Sequence, residues 1–191
     1  MNKAIRWRII TLQSILVVVF AAASGFLFYE GSFVTGMIRD QLTAQRIYFP
    51  PQDQVKPGGA LDPAEFPSEI TQYAGQQVDN GDKAKVYAND FIGKHLQGVA
   101  GGKTYAQVSA LAIADPTNAK LQGQVATLFK GETLRSILLN AYGWWTIGVY
   151  TTYAGIGLML AALAALAALV FELFIAGRKP ETLKVARKVA A

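Results

Sequence analysis

Between Arg135 and Glu172 the chain reads SILLNAYGWWTIGVYTTYAGIGLMLAALAALAALVF, residues 136–171, and none of these 36 positions carries a charge. A helix crosses the ~30 Å hydrocarbon layer of a bilayer in about 20 residues. At ~1.5 Å per residue this run measures on the order of 54 Å, so part of it is expected to tilt or to stand outside the hydrocarbon. Tyr142, Trp144, Trp145, Tyr150 and Tyr153 gather at its start. Amphipathic rings settle at the head-group level, which makes these five the expected interface anchors and leaves roughly residues 151–175 in the hydrocarbon.

Within that portion Gly157, Ala161 and Ala165 recur every four residues, with Ala164 and Ala168 beside them. Small side chains at this spacing let a second helix approach closely. The face either packs on the chain's own first apolar run, where Ser24 and Gly25 are also small, or docks a helix of a partner. Leu160, Leu163, Leu166 and Leu169 drift around the helix and read as lipid-facing. Glu172 is the one acid inside an apolar run. Its place near the end favours an anchoring role, paired with Arg178, Arg6 or Arg8, over proton conduction.

Towards the N-terminus, residues 9–29 read IITLQSILVVVFAAASGFLFY, again uncharged and about one crossing long. Lys3, Arg6 and Arg8 before it and Ala21-Ala22-Ala23 within it also suit a cleaved signal peptide. The apolar run continues through Gly25, Phe26, Leu27 and Phe28, which favours a retained anchor. The net charge of +5 belongs to the two flanks: the N-terminal three, and Arg178, Lys179, Lys184, Arg187 and Lys188 offset by Glu181. From Glu30 to Asn140 ten basic residues face eleven acidic ones. Basic flanks place both termini on the cytoplasmic side of the plasma membrane and attract anionic lipid head groups, and nothing in the pattern suggests nucleic acid.

The expected fold is an all-α membrane protein: two transmembrane helices with an extracytoplasmic helical segment between them. The expected divisions are a basic terminus at 1–8, a span at 9–29, a helical region at 30–143 with a Pro-rich linker at 50–67, an aromatic-anchored span at 144–176 and a basic tail at 177–191. Phe33, Val34, Met37, Ile38 and Leu42 follow helical spacing, so the first span should continue outward to the break at Pro50-Pro51. Further helices are expected from Ser68 to about Val78, from Asp82 to about Val99 with a stop at Gly101-Gly102, and after Thr104, which makes a capping box with Gln107. Asp115 before Pro116 reads as an N-cap opening a helix to about Lys130, with the next starting near Glu132. No run alternates as a strand would.

The chemical inventory is thin. With no cysteine and one histidine, thiolate zinc sites, iron–sulfur clusters, disulfides and Cys–His catalysis have no residues to build them. Gly101-Gly102-Lys103-Thr104 ends like a phosphate-binding loop, but the required earlier glycine is Gln97, and each residue has a capping role instead. His95, with Asp90 and Lys94 near it in sequence, reads as a surface or interface residue, a functional role resting on residue type alone. No cofactor, metal or small-molecule substrate is expected.

Tyr73-Ala74-Gly75-Gln76-Gln77-Val78, residues 84–88, Lys94-His95-Leu96 and Gly101-Gly102-Lys103-Thr104-Tyr105-Ala106 together resemble a family of small actinobacterial membrane proteins. That family has the same plan of N-terminal anchor, short outer helical segment and C-terminal apolar region. Its members often carry the label "aromatic ring-opening dioxygenase", but a two-histidine, one-carboxylate iron site cannot be made from one histidine. Actinobacterial respiratory supercomplexes contain accessory membrane subunits of this size and plan. The resemblance therefore implies a non-catalytic accessory subunit or assembly factor of a membrane complex, with the respiratory cytochrome bcc–oxidase supercomplex as the candidate and other integral membrane subunits as partners. The alternative is an extracytoplasmic module that binds a ligand or senses an envelope component.

Overall fold

The computed structural model describes residues 3–174, and every regular element among them is helical. In chain order these are α1 (Lys3–Gln45), a 3₁₀ turn (Gln52–Gln54), α2 (Ser68–Thr71), α3 (Gly81–Val86), a π-helical stretch (Tyr87–Ile92), α4 (Gly93–Val99), α5 (Tyr105–Ala114) and α6 (Ala119–Phe174). The only β-type pairing among the described residues is an isolated antiparallel bridge between Tyr48 and Gln77. Helices α1 and α6, of 43 and 56 residues, are long and apolar enough to cross a membrane. Only 6% and 11% of their most apolar stretches are buried, so they are not covered as the core helices of a water-soluble fold are. Arg178, Lys179 and the rest of the basic tail lie outside the described residues.

The chain divides into two compact units. One takes in the chain to Glu30 and from Tyr150 onward. In it α1 and α6 run antiparallel, for Arg6 meets Glu172 while Ser24 meets Gly155. The seam is built from small residues: Ser24 is fully buried and Ala162 is 5% exposed. A methyl group added at Gly155 would already touch Leu27, Phe28 and the Ser24 carbonyl at 3.4 Å. The seam therefore repeats every seven residues, from Gly155 to Ala162. A four-residue stripe drifts away from such a seam. Of the expected small-residue face, Ala161 and Ala165 are half-buried at the seam's edge, while Gly157, Ala164 and Ala168 are exposed. Gly25 likewise has open space around it.

The other unit is Gly31–Val149. It has a continuous apolar core that includes Ile38 and Leu42 of α1, Ile70, Val78, Val108, and Leu128 and Leu138 of α6. The segment 50–67, expected as a linker, is part of this core. Leu61 is wholly buried, and Phe49 and Phe66 on either side of it are 2% and 8% exposed. Its turn is fixed by Asp62, whose carboxylate accepts from the backbone N–H of Gly58 at 2.6 Å and of Ala64 at 2.9 Å. Those two bonds hold the Asp62 carboxyl below its ordinary range.

Three local expectations fail. The helix expected from Ser68 to Val78 stops at Thr71, because the chain beyond it pairs backwards: Phe49 donates to Gln76, Val78 to Ile47 and Gly75 to Pro50. Asp115 does not cap a helix. Its carboxylate accepts from Thr117 and Asn118 in a tight turn, and Asn118 caps α6 by accepting from the Leu121 N–H. No break separates Lys130 from Glu132, since α6 runs through them. Gly131 is there for close approach, as any Cβ on it would collide with the Leu96 side chain. The capping box of Thr104 and Gln107 is present, with both hydrogen bonds formed.

Candidate functional site

In the Gly31–Val149 unit α1 and α6 leave an open groove of about 440 Å³. Its floor is Ile38 and Leu42, both buried, and its walls are Phe33 and Met37 from α1 and Ile137 and Trp144 from α6. These wall residues are exposed, Phe33 at 56%, Ile137 at 54% and Trp144 at 49%. Helical spacing explains the arrangement: Phe33, Met37 and Gln41 share one stripe of α1, and Ile137, Ala141 and Trp144 one stripe of α6. Polar groups enter at Gln41, Gln45 and Asn140, none of them charged. Phe129, at 57%, extends the exposed apolar surface along α6 by two turns from Ile137. Such a face can cover an apolar partner but offers no group able to move a proton or hold a metal.

The five aromatic residues expected as interface anchors take different places. Tyr150 and Tyr153 are exposed on the first unit, with ring centroids 6.5 Å apart. In the second unit Trp144 lines the groove, whereas Trp145 is enclosed: its ring lies under the Arg39 guanidinium at 5.9 Å and its Cβ and Cγ occupy the space left by Gly81. Tyr142 is half-buried, with the Lys85 ammonium 5.3 Å above its ring. Trp145 and Tyr142 therefore hold the protein's own elements together through aromatic and cation–π contacts.

Glu172 is 9% exposed and pairs with Arg6, whose Nε lies 3.1 Å from Oε1. The same guanidinium donates to the backbone carbonyls of Glu172 and Leu173 at 2.6 and 3.3 Å. One arginine thus pairs with the carboxylate and also donates to two backbone carbonyls of α6. Of the partners expected for Glu172, Arg6 is in place and Arg178 lies outside the described residues.

His95 stands exposed at the end of a file of rings. Phe49 meets Tyr87 at 5.2 Å, Tyr87 meets Phe91 at 5.0 Å, and Phe91 meets His95 at 4.5 Å between centroids. Its Nδ1 lies 2.7 Å from the Phe91 carbonyl. A carbonyl only accepts, so Nδ1 is the donor in this contact. Near it in sequence, Asp90 is half-buried, and burial together with the neighbouring Glu69 raises its carboxyl above the ordinary range, against a smaller opposing pull from Lys85. Among the described residues no three His, Asp or Glu side chains gather as a metal-binding group.

Two features went unread in the sequence. Gln13, near the start of the first apolar run, has its side-chain oxygen buried without a hydrogen-bond partner. Arg135 reaches across to Asn89 at 3.1 Å while its Nε is buried and unpaired. Residue type alone could have flagged Gln13, a lone amide in a span. Compared with known proteins by sequence and by structure, the chain matches no family model, no curated protein and no solved structure.

Proposed function

We propose that this chain is a non-catalytic accessory subunit or assembly factor of a membrane protein complex. The respiratory cytochrome bcc–oxidase supercomplex is the complex to which the resemblance points. In this reading α1 and α6 span the plasma membrane at about 9–29 and 151–175, both termini are cytoplasmic, and Gly31–Val149 stands outside. The carrying observation is the apolar groove of Phe33, Met37, Ile137 and Trp144 with its floor of Ile38 and Leu42. These side chains lie beyond the stretches that lipid would cover, and exposed apolar surface of this kind marks protein–protein interfaces. Other integral membrane subunits are the partners, and anionic lipid head groups meet the basic flanks.

The test is purification of the tagged full chain in mild detergent with identification of stoichiometric partners. Met37→Glu and Ile137→Glu, both at exposed positions, should release the partner while leaving the thermal unfolding of the isolated protein unchanged. Recovery of the wild-type chain as a lone monomer would sink the subunit reading. Because the sequence lacks cysteine, orientation can be read directly. A cysteine placed at Thr133 should react with a membrane-impermeant maleimide on intact cells, and one placed at Ala4 should not.

A further inference from the structure

A second cavity of about 510 Å³ opens in the Gly31–Val149 unit where the Gly101-Gly102 turn, α5 and the first turns of α6 meet. That size is in the range of small-molecule sites. Lys103 and Lys120 line it, and no acidic residue does. Neither side chain makes a hydrogen bond or ion pair with any described residue. Lys83 and Lys85 of the same unit show the contrast: the first is paired with Asp79 at 3.0 Å and the second lies over Tyr142. Asp115, the acid nearest in sequence to Lys120, already has both carboxylate oxygens engaged by Thr117 and Asn118.

The other polar side chains lining the cavity each have a protein partner. Gln124 donates its Nε2 to the Val99 carbonyl at 2.8 Å, and the Asn118 oxygen accepts from the Leu121 N–H. The two ammonium groups, on exposed residues and each with three N–H donors and no acceptor, can exchange water for an anion. Two like charges on one cavity repel each other, and an anion between them reverses the sign of that interaction. Beneath them the floor is apolar: Val108 is wholly buried, Ala100 is 7% exposed, and Leu111 stands at the rim at 45%.

We infer that this cavity binds a small amphipathic anion, a carboxylate or phosphate monoester on an alkyl body, with Lys103 and Lys120 on the head and Val108 and Leu111 against the chain. The inference is independent of the accessory-subunit reading, since it concerns a different surface. Gly101-Gly102-Lys103-Thr104 then does more than stop one helix and start the next: it carries one of the two cations into the cavity.

The experiment is isothermal titration of the full chain, in neutral detergent, with octyl phosphate, octanoate, 1-octanol and inorganic phosphate. At least one octyl anion should bind, with octanol and inorganic phosphate weaker by about tenfold or more. Whichever of octyl phosphate and octanoate binds more tightly tells a phosphate source from a fatty-acid one. The double variant Lys103→Gln/Lys120→Gln should lose about tenfold or more of the anion's affinity without a change in thermal unfolding, and Leu111→Gln should weaken the octyl anions while leaving inorganic phosphate unaffected. Equal binding of octanol and the anions, equal binding of inorganic phosphate, or an unchanged affinity in the double variant would each overturn the proposal.

Discussion

The Ser24 hydroxyl donates to the carbonyl oxygen of Gly155 at 2.8 Å across the two antiparallel helices, and Ser24 has no exposed surface. That carbonyl can accept twice, so the contact adds a bond between helices without taking one from α6. Ser24→Ala should cost about 0.5–1.5 kcal/mol. The glycines give a sharper comparison. A Cβ at Gly155 meets its neighbours at 3.4 Å, an ordinary contact, whereas at Gly148 it would lie 2.8 Å from Thr35 Cγ2 and 3.2 Å from the Gly31 oxygen. Gly148→Ala should therefore lower the unfolding temperature more than Gly155→Ala; thermal unfolding in detergent of both variants decides the order.

Arg6 and Glu172 should couple. The arginine side chain is 32% exposed and the glutamate 12%, so screening is partial and a double-mutant cycle with Arg6→Gln and Glu172→Gln should give a coupling of about 1 kcal/mol. A vanishing coupling would mean that the arginine serves only the carbonyls of Glu172 and Leu173.

Leu61→Ala tests whether residues 50–67 are structural. Deleting a wholly buried leucine side chain costs about 2–5 kcal/mol, read as a shift in urea midpoint. A connecting segment without packing would tolerate the change with no shift.

The expectations that held rest on local signals. The continuation of α1 past its apolar run was legible from Ile38 and Leu42, which recur at helical spacing and are 4% and 5% exposed. The capping box at Thr104 needs only residues three apart. What stayed hidden depends on distant partners. Nothing near Gly131 announces that Leu96 will press against it, so the glycine reads as a stop. Residues 73–78, expected as helix, are turned elsewhere by the backbone groups of Ile47, Phe49 and Pro50. Gly157, Ala161 and Ala165 form a clear stripe in sequence, but the seam follows the seven-residue rhythm of an antiparallel pair, which a single helix does not reveal. The groove combines α1 and α6 residues about a hundred positions apart, so its halves could be seen as helical stripes but not as one surface.

Asp90 makes stability depend on pH. Its carboxyl is raised by burial first and by Glu69 second, so the folded state holds the proton more tightly than the unfolded chain does. The stabilisation tied to the protonated form is complete below the ordinary aspartate pKa and is lost as pH rises through the raised one. Asp90→Asn should consequently raise the unfolding temperature at pH 7, with the gap closing towards pH 3.5. A gap independent of pH would assign the gain to packing instead.

The π-helical stretch Tyr87–Ile92 has a consequence for how this unit tolerates changes in length. A π turn holds one residue more than the α-helical path it replaces. Removing a single residue there would let the chain close into regular helix from α3 into α4. A deletion elsewhere in an α-helix would swing every following side chain about 100° around the axis. Among natural or engineered length variants, this stretch is where a one-residue gap should be survivable.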